Sequence, residues 1–164
     1  MRQRKGNAGL DKNMDQLQSV TIATIGFTRK SLRDFISRLR AADVSHVLDT
    51  RLHNTSQLSG FAKRSDLEYI LEVHQISYTH DIQLAPTEEL LHAWQRRHCT
   101  WEEYASAYRH LLVERQVERF VEPVLQAESA ICLLCSEDKP HHCHRRVLAE
   151  YLQSVRGQVV VRHL

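Results

Sequence analysis

The stretch "SAICLLCSEDKPHHCHRR", Ser129 to Arg146, decides the reading of the fold. After Ser129 it is apolar at every position up to Cys135. A strand with one solvated face alternates apolar and polar residues. A strand with no polar face belongs inside a parallel sheet covered on both sides. Polar residues and Pro140 then break the run, and from about His141 to Val155 the apolar positions fall at helical spacing. Leu148, Tyr151, Leu152 and Val155 form its inward stripe. Gly157 closes that helix, and "QVVVRHL" supplies a further strand at Gln158 to Leu164. The whole is a strand–helix–strand unit, which joins parallel strands.

The rest of the chain repeats the pattern. "VTIATIGF", Val20 to Phe27, is a β-branched run closed by Gly26. Leu32, Phe35, Ile36 and Leu39 predict a helix capped by Ser31. "SHVLDTR", Ser45 to Arg51, is a second strand. The Asn, Ser and Gly residues after it mark a loop. Ser65 caps a helix over Asp66 to Ile76, and "SYTHDI" is a third strand. Thr87 opens a helix over Glu88 to Arg97. Thr100 opens a longer one with Tyr104, Tyr108, Leu111 and Leu112 on its stripe, which Pro123 kinks or ends. This alternation predicts an α/β fold: one layered domain over residues 20–164, Rossmann-like in the loose sense, with a mainly parallel sheet flanked by helices. Residues 1–19 read as a poorly ordered extension.

Composition narrows the function. A chain of 164 residues is long enough to bury a core without staples. Its formal charge of +2 gives no strong field toward nucleic acid or membranes. No apolar run is long enough to span a bilayer, and the N-terminal residues lack the apolar core of a secretory signal. A cytoplasmic location follows as the expectation, with four reduced cysteines. No cofactor is implied.

The chemistry gathers where ligands bind in such folds, at the carboxyl ends of the strands. In Cys135 to Arg146 lie two cysteines, three histidines and two arginines. Zinc is one reading. Cys132 and Cys135 make a C-x2-C pair, yet residues three apart on a strand face opposite sides. Cys132 then belongs in the core as a small hydrophobe. Cys135, Cys143 and His144 remain as an alternative metal set, at a spacing foreign to fingers and ribbons. An anion site is the second reading. The segment leads into a helix N-terminus, where free N–H groups and the helix dipole favour negative charge. His144 and Arg145 extend the inward stripe of that helix, whereas Arg146 pairs with Glu150 on the outside. The same environment lowers a cysteine pKa. Either Cys143 or Cys135 is then a candidate nucleophile, with His144 as acid or base. His141 and His142 read as solvated loop residues, and Cys99 and Cys132 as packing residues.

A second segment, "DTRLHNTSQLSGF", supplies candidate ligand contacts. Asp49 and Arg51 face the same side of a strand end, so Asp49 would position Arg51. Asn54, Ser56 and Gln57 would orient a polar substrate, and Gly26 permits close backbone approach. Arg51 and Arg145 would hold its negative charge.

The motifs "TIGFTRKS", "LDTRLHNTSQLSGFAK", "LAPTEELL", "WEEY" and "CLLCSEDKPHHCHRRVLAEYL" together resemble a widespread prokaryotic family, domain of unknown function 488. The resemblance covers Thr21 to Leu164. That family usually carries Asn at the position of His53, and it transfers no activity. A looser resemblance in layout is to rhodanese-like domains. It rests on the Asp-x-Arg of Asp49 and Arg51, an apolar strand ending in Cys135, then Arg145, a helix, Gly157 and a strand. The loop between Cys135 and Arg145 is longer here. This layout implies sulfurtransferase-like chemistry. The expectation is an enzyme acting on a small anionic or phosphate-bearing substrate. The rivals are a non-catalytic module for nucleotides or nucleic-acid ends, with Arg29, Lys30, Lys63 and Arg64 nearby, and a metal-binding protein using Cys135, Cys143 and His144.

Overall fold

The structure is a computed structural model, and it describes residues 19–55 and 60–164. The sheet has five strands: β1 (Val20–Gly26), β2 (His46–Asp49), β3 (Ser77–His80), β4 (Ala130–Cys135) and β5 (Val159–His163). Six helices connect them: α1 (Leu32–Ala41), α2 (Arg64–Val73), α3 (Glu88–Gln95), α4 (Trp101–Arg115), α5 (Glu118–Ala127) and α6 (His144–Arg156). Every strand pairing is parallel, and the order is β3-β2-β4-β1-β5. The expected α/β fold is present. All but one residue of the expected N-terminal extension lie outside the described residues.

The apolar stretch that opened the reading is the central strand, and all six of its residues are buried. Side-chain alternation divides it between two cores. Ile131 and Leu133 pack with Ile22 and Leu48 beneath α4, α5 and α6. Cys132 and Leu134 pack with Ala23, Ile25 and Val47 beneath α1 and α2. Covering both faces removes any need for a polar phase in β4.

The connections place the site. From β2 the chain turns outward to β3 through α2. From β4 it crosses the other way, over β1, to β5 through α6. Neighbouring strands whose connections part in this way leave a crevice at their carboxyl ends. The crevice lies between the ends of β2 and β4, where Asp49, Thr50 and Arg51 meet Cys135 and Ser136.

Local details depart from the sequence expectation in three places. Pro123 neither ends nor separates the long helical region; it sits inside α5. The break falls at Gln116, in the left-handed region with φ 52°. There Gln116 and Val117 donate to the carbonyls of Val113 and Leu112, closing α4. The carbonyl that a proline leaves without its helical donor is that of exposed Arg119, where water can replace it. Helix α2 starts at Arg64 with Lys63 at its N-cap, and Ser65 does not cap it. Helix α6 starts at His144, because Pro140 to Cys143 forms a turn in which Cys143 N–H donates to the Pro140 carbonyl at 3.2 Å. The caps of Ser31, Thr87 and Thr100 are present, the last as a full capping box with Glu103.

Candidate active site

Strand phase sorts the residues at the end of β2. Asp49 points toward the α1/α2 side and accepts from Arg51 Nε and Nη2 at 2.8 and 2.6 Å. Tyr78 Oη donates to the same carboxylate at 2.7 Å, and Asn54 Nδ2 at 3.2 Å. Arg51 Nη1 donates to the Ala62 carbonyl at 2.7 Å, and its guanidinium lies 5.2 Å from the Phe27 ring centre. Burial would raise the Asp49 pKa, but the hydrogen bonds and charge of Arg51 hold it below the usual carboxylate value. This cluster pins the loop after β2. It brings Arg51 to the wall of a cavity and leaves Asp49 and Asn54 behind that wall. Ser56 and Gln57 lie outside the described residues.

Thr50, one residue on, points to the opposite face. Its hydroxyl donates to the Leu134 carbonyl at 2.8 Å, tying β2 to β4. Its carbonyl lies 3.0 Å from His144 Nε2, and its hydroxyl oxygen 3.1 Å. A carbonyl only accepts, so Nε2 carries the hydrogen. His144 Nδ1 is thereby left as the basic nitrogen, and it faces Cys135 Sγ at 3.6 Å. Cys135, at the end of β4, points to this face because it shares the phase of Ile131 and Leu133.

Cys143, the N-cap of α6, completes the cluster. The donor atoms of Cys135, Cys143 and His144 lie within 4.8 Å of one another, all buried. A single ion could bridge such a set. The two thiols differ sharply. A hydrogen bond from Cys143 holds the Cys135 thiol well below the usual cysteine range, against the effect of burial. The charge and hydrogen bond of His144 and the Glu137 N–H act in the same direction. Cys143 is pushed far above that range by its hydrogen bond to Cys135, by burial and by the Cys135 charge. Burial would lower His144, but the Cys135 charge and hydrogen bond and the Thr50 contact raise it. Cys132, fully buried beneath the other face, is pushed upward by burial.

Arg145 lies on the inward stripe of α6, as its spacing implied, but it does not line the cavity with Arg51. It is completely buried, and its Nη1 and Nη2 donate to the carbonyls of Glu137 and Asp138 at 2.5 and 3.1 Å. Nη1 also reaches Cys143 Sγ at 3.3 Å. The guanidinium braces the loop between Cys135 and Cys143 from below. Gly26 makes room for this: a side-chain carbon there would overlap the Glu137 carbonyl. Arg146 pairs with Glu150 on the outside, as its spacing implied.

Cys135, Cys143 and His144 open onto a cavity of about 230 Å³. Arg51, Pro86, Trp94 and Tyr104 form much of its wall. His142, expected to be a solvated loop residue, is exposed but packs 5.1 Å from the Trp101 ring and also borders the cavity. Thr50 and Tyr104 were not among the sequence candidates. Thr50 was open to detection, since strand alternation sets it opposite Asp49 and Arg51. Tyr104 looked like any core residue of an amphipathic helix.

The fold and site define an α/β protein of doubly covered parallel-sheet type, with a cysteine–histidine pair at the carboxyl edge of its central strand. The chain belongs to the family described as domain of unknown function DUF488, which it matches over residues 31–152. No curated protein and no solved structure matches it. Among the described residues, no helix is long and apolar enough to cross a membrane.

Proposed function

We propose that this protein is a cysteine-dependent enzyme in which Cys135 is the nucleophile and His144 its acid–base partner. One observation carries the reading: His144 Nδ1 meets Cys135 Sγ at 3.6 Å while Nε2 is fixed by the Thr50 carbonyl. A nucleophile, a base and a group that orients the base are the parts of an activated thiol. Cys143 is the poorer candidate, since its proton is held by the neighbouring sulfur.

The substrate we infer is small and anionic. The cavity is of modest volume, and the positive end of α6 and the Arg51 guanidinium border it. Sulfur transfer is the sharpest version. The Cys135 thiolate attacks the outer sulfur of an anionic sulfane donor such as thiosulfate. The sulfur–sulfur bond of the donor breaks, sulfite leaves with the electron pair, and Cys135 becomes a persulfide. His144 stays charged beside the persulfide anion.

Mass spectrometry after incubation with thiosulfate tests this version. The expected result is one added sulfur atom on the peptide holding Cys135, absent in Cys135→Ser and reduced at least tenfold in rate in His144→Ala. General acid–base partners typically contribute about 10²–10⁴-fold. Protein that purifies with one tightly held zinc on these residues, and gains sulfur only after chelation, would contradict it.

A further inference from the structure

A single thiolate suffices for the transfer proposed above, and the hydrogen bond that Cys143 gives it could come from a hydroxyl, so the choice of a second thiol there calls for a further reason. We infer that Cys143 is a resolving cysteine, and that Cys135 and Cys143 form a transient disulfide in turnover. The inference rests on Cys135 as the nucleophile and adds a redox step to it.

Both cysteines are free in the structure, and their sulfur atoms lie within 4.8 Å of each other. A disulfide needs about 2.05 Å between sulfurs, so the closure is under ~3 Å, within the sweep of a cysteine rotamer change. Cys143 belongs to no regular strand or helix turn that would oppose this. It is the N-cap of α6, in extended conformation, directly after His142 in the left-handed region at φ 31°. Arg145 Nη1 already lies 3.3 Å from Cys143 Sγ, where a cation favours the thiolate that must attack. Cys132 is excluded from the pair because it lies beneath the opposite face of the sheet.

The step balances without a cofactor. When Cys135 carries a leaving group as Cys135–S–X, the His144 Nδ1 proton has first passed to the outer sulfur of the persulfide, or to the hydroxide a hydroperoxide releases, and the neutral Nδ1 then takes the proton of the Cys143 thiol. Its sulfur then attacks Cys135 Sγ, the S–X bond breaks, and X leaves with the electron pair. For a persulfide, X leaves as hydrosulfide: Cys143 is oxidised, the outer sulfur is reduced, and Cys135 stays at the disulfide level it reached on taking up the sulfur. An external dithiol returns the pair to its starting state. A hydroperoxide enters the same route. The Cys135 thiolate attacks the terminal oxygen, the O–O bond breaks, and the alkoxide or hydroxide leaves with the electron pair and takes the His144 proton. Cys143 then displaces the sulfenic hydroxyl, which leaves as water with the proton His144 took from Cys143.

The test uses the full chain and one equivalent of hydrogen peroxide, with thiol counting and peptide mass mapping. The wild type is expected to lose two thiols per peroxide and to give a peptide linked through Cys135 and Cys143. In Cys143→Ser, whose hydroxyl can still donate to Cys135, oxidation should stop at a Cys135 sulfenic acid that dimedone traps; Cys143→Ala, which lacks that donor, should reach the same trapped product more slowly. Over-oxidation of Cys135 in the wild type without a linked peptide would overturn the inference, as would linkage to Cys99. Iodoacetamide labelling in parallel separates the two claims. Rapid labelling of Cys135 without disulfide formation defeats only the resolving role; slow labelling of Cys135 defeats the nucleophile as well.

Discussion

Thr50 shows how much one residue decides. Its side chain locks β2 to β4, and its carbonyl selects which nitrogen of His144 faces Cys135. Thr50→Val keeps the carbonyl and loses the hydroxyl. The rate of Cys135 alkylation in that variant should fall by less than in His144→Ala, a comparison that thiol labelling reads directly. Asp49 is the second case. It is a fully buried carboxylate shared by Arg51, Tyr78 and Asn54. Asp49→Ala leaves a buried guanidinium without its partner, which costs about 3–5 kcal/mol in comparable pairs. Urea unfolding should show that loss. The sign with pH follows from the depressed Asp49 value. The pair stabilises the fold above the usual carboxylate range, and the contribution disappears as pH falls through the lower folded value. The aspartate–arginine pairing was legible from a two-residue spacing on a strand. The burial of Arg145 was not. An arginine on the inward stripe of a helix serves a ligand or a loop carbonyl equally well, and only the path of the loop chooses between them.

Among the elements, α6 and the loop before it form one device. The loop folds back over the end of β4 because Arg145 holds two of its carbonyls and Gly26 lets it pass close to β1. Arg145→Ala should therefore disturb the fold as well as the site. The two carbonyls are only partly buried, so water can replace part of what is lost, and each bond is worth about 1 kcal/mol. A lower thermal midpoint, together with slower Cys135 labelling, is the expected outcome; an unchanged midpoint would show the bracing to be dispensable. Helix α4 offers a control away from the chemistry. Thr100→Ala breaks its capping box and should cost about 1 kcal/mol with labelling of Cys135 unchanged. The strands and helices were readable because their apolar periods are strong. The end of α4 was not, since Gln116 carries no glycine-like signal for a left-handed turn and Pro123 drew the break to the wrong place.

At the scale of the molecule, the parallel sheet brings together residues far apart in sequence. Two connections part at the ends of β2 and β4, and the crevice between them receives Arg51 from one strand and Cys135 from the other. The alternation of strands and helices implied this convergence. The choice between Cys135 and Cys143 needed coordinates, because both lie near the start of one helix and only the contacts separate them. The central claim is that Cys135 is a thiolate prepared by His144. The most direct measurement is the pH dependence of Cys135 alkylation by iodoacetamide, followed by peptide mass mapping, in the wild type and in His144→Ala. The account predicts that wild-type Cys135 labels ahead of Cys132 and Cys143. Its rate should hold as pH falls well below the ordinary cysteine value of about 8.5, and the profile should shift to higher pH in His144→Ala. A wild-type profile that rises only near the ordinary cysteine value, with no change on removing His144, would contradict it.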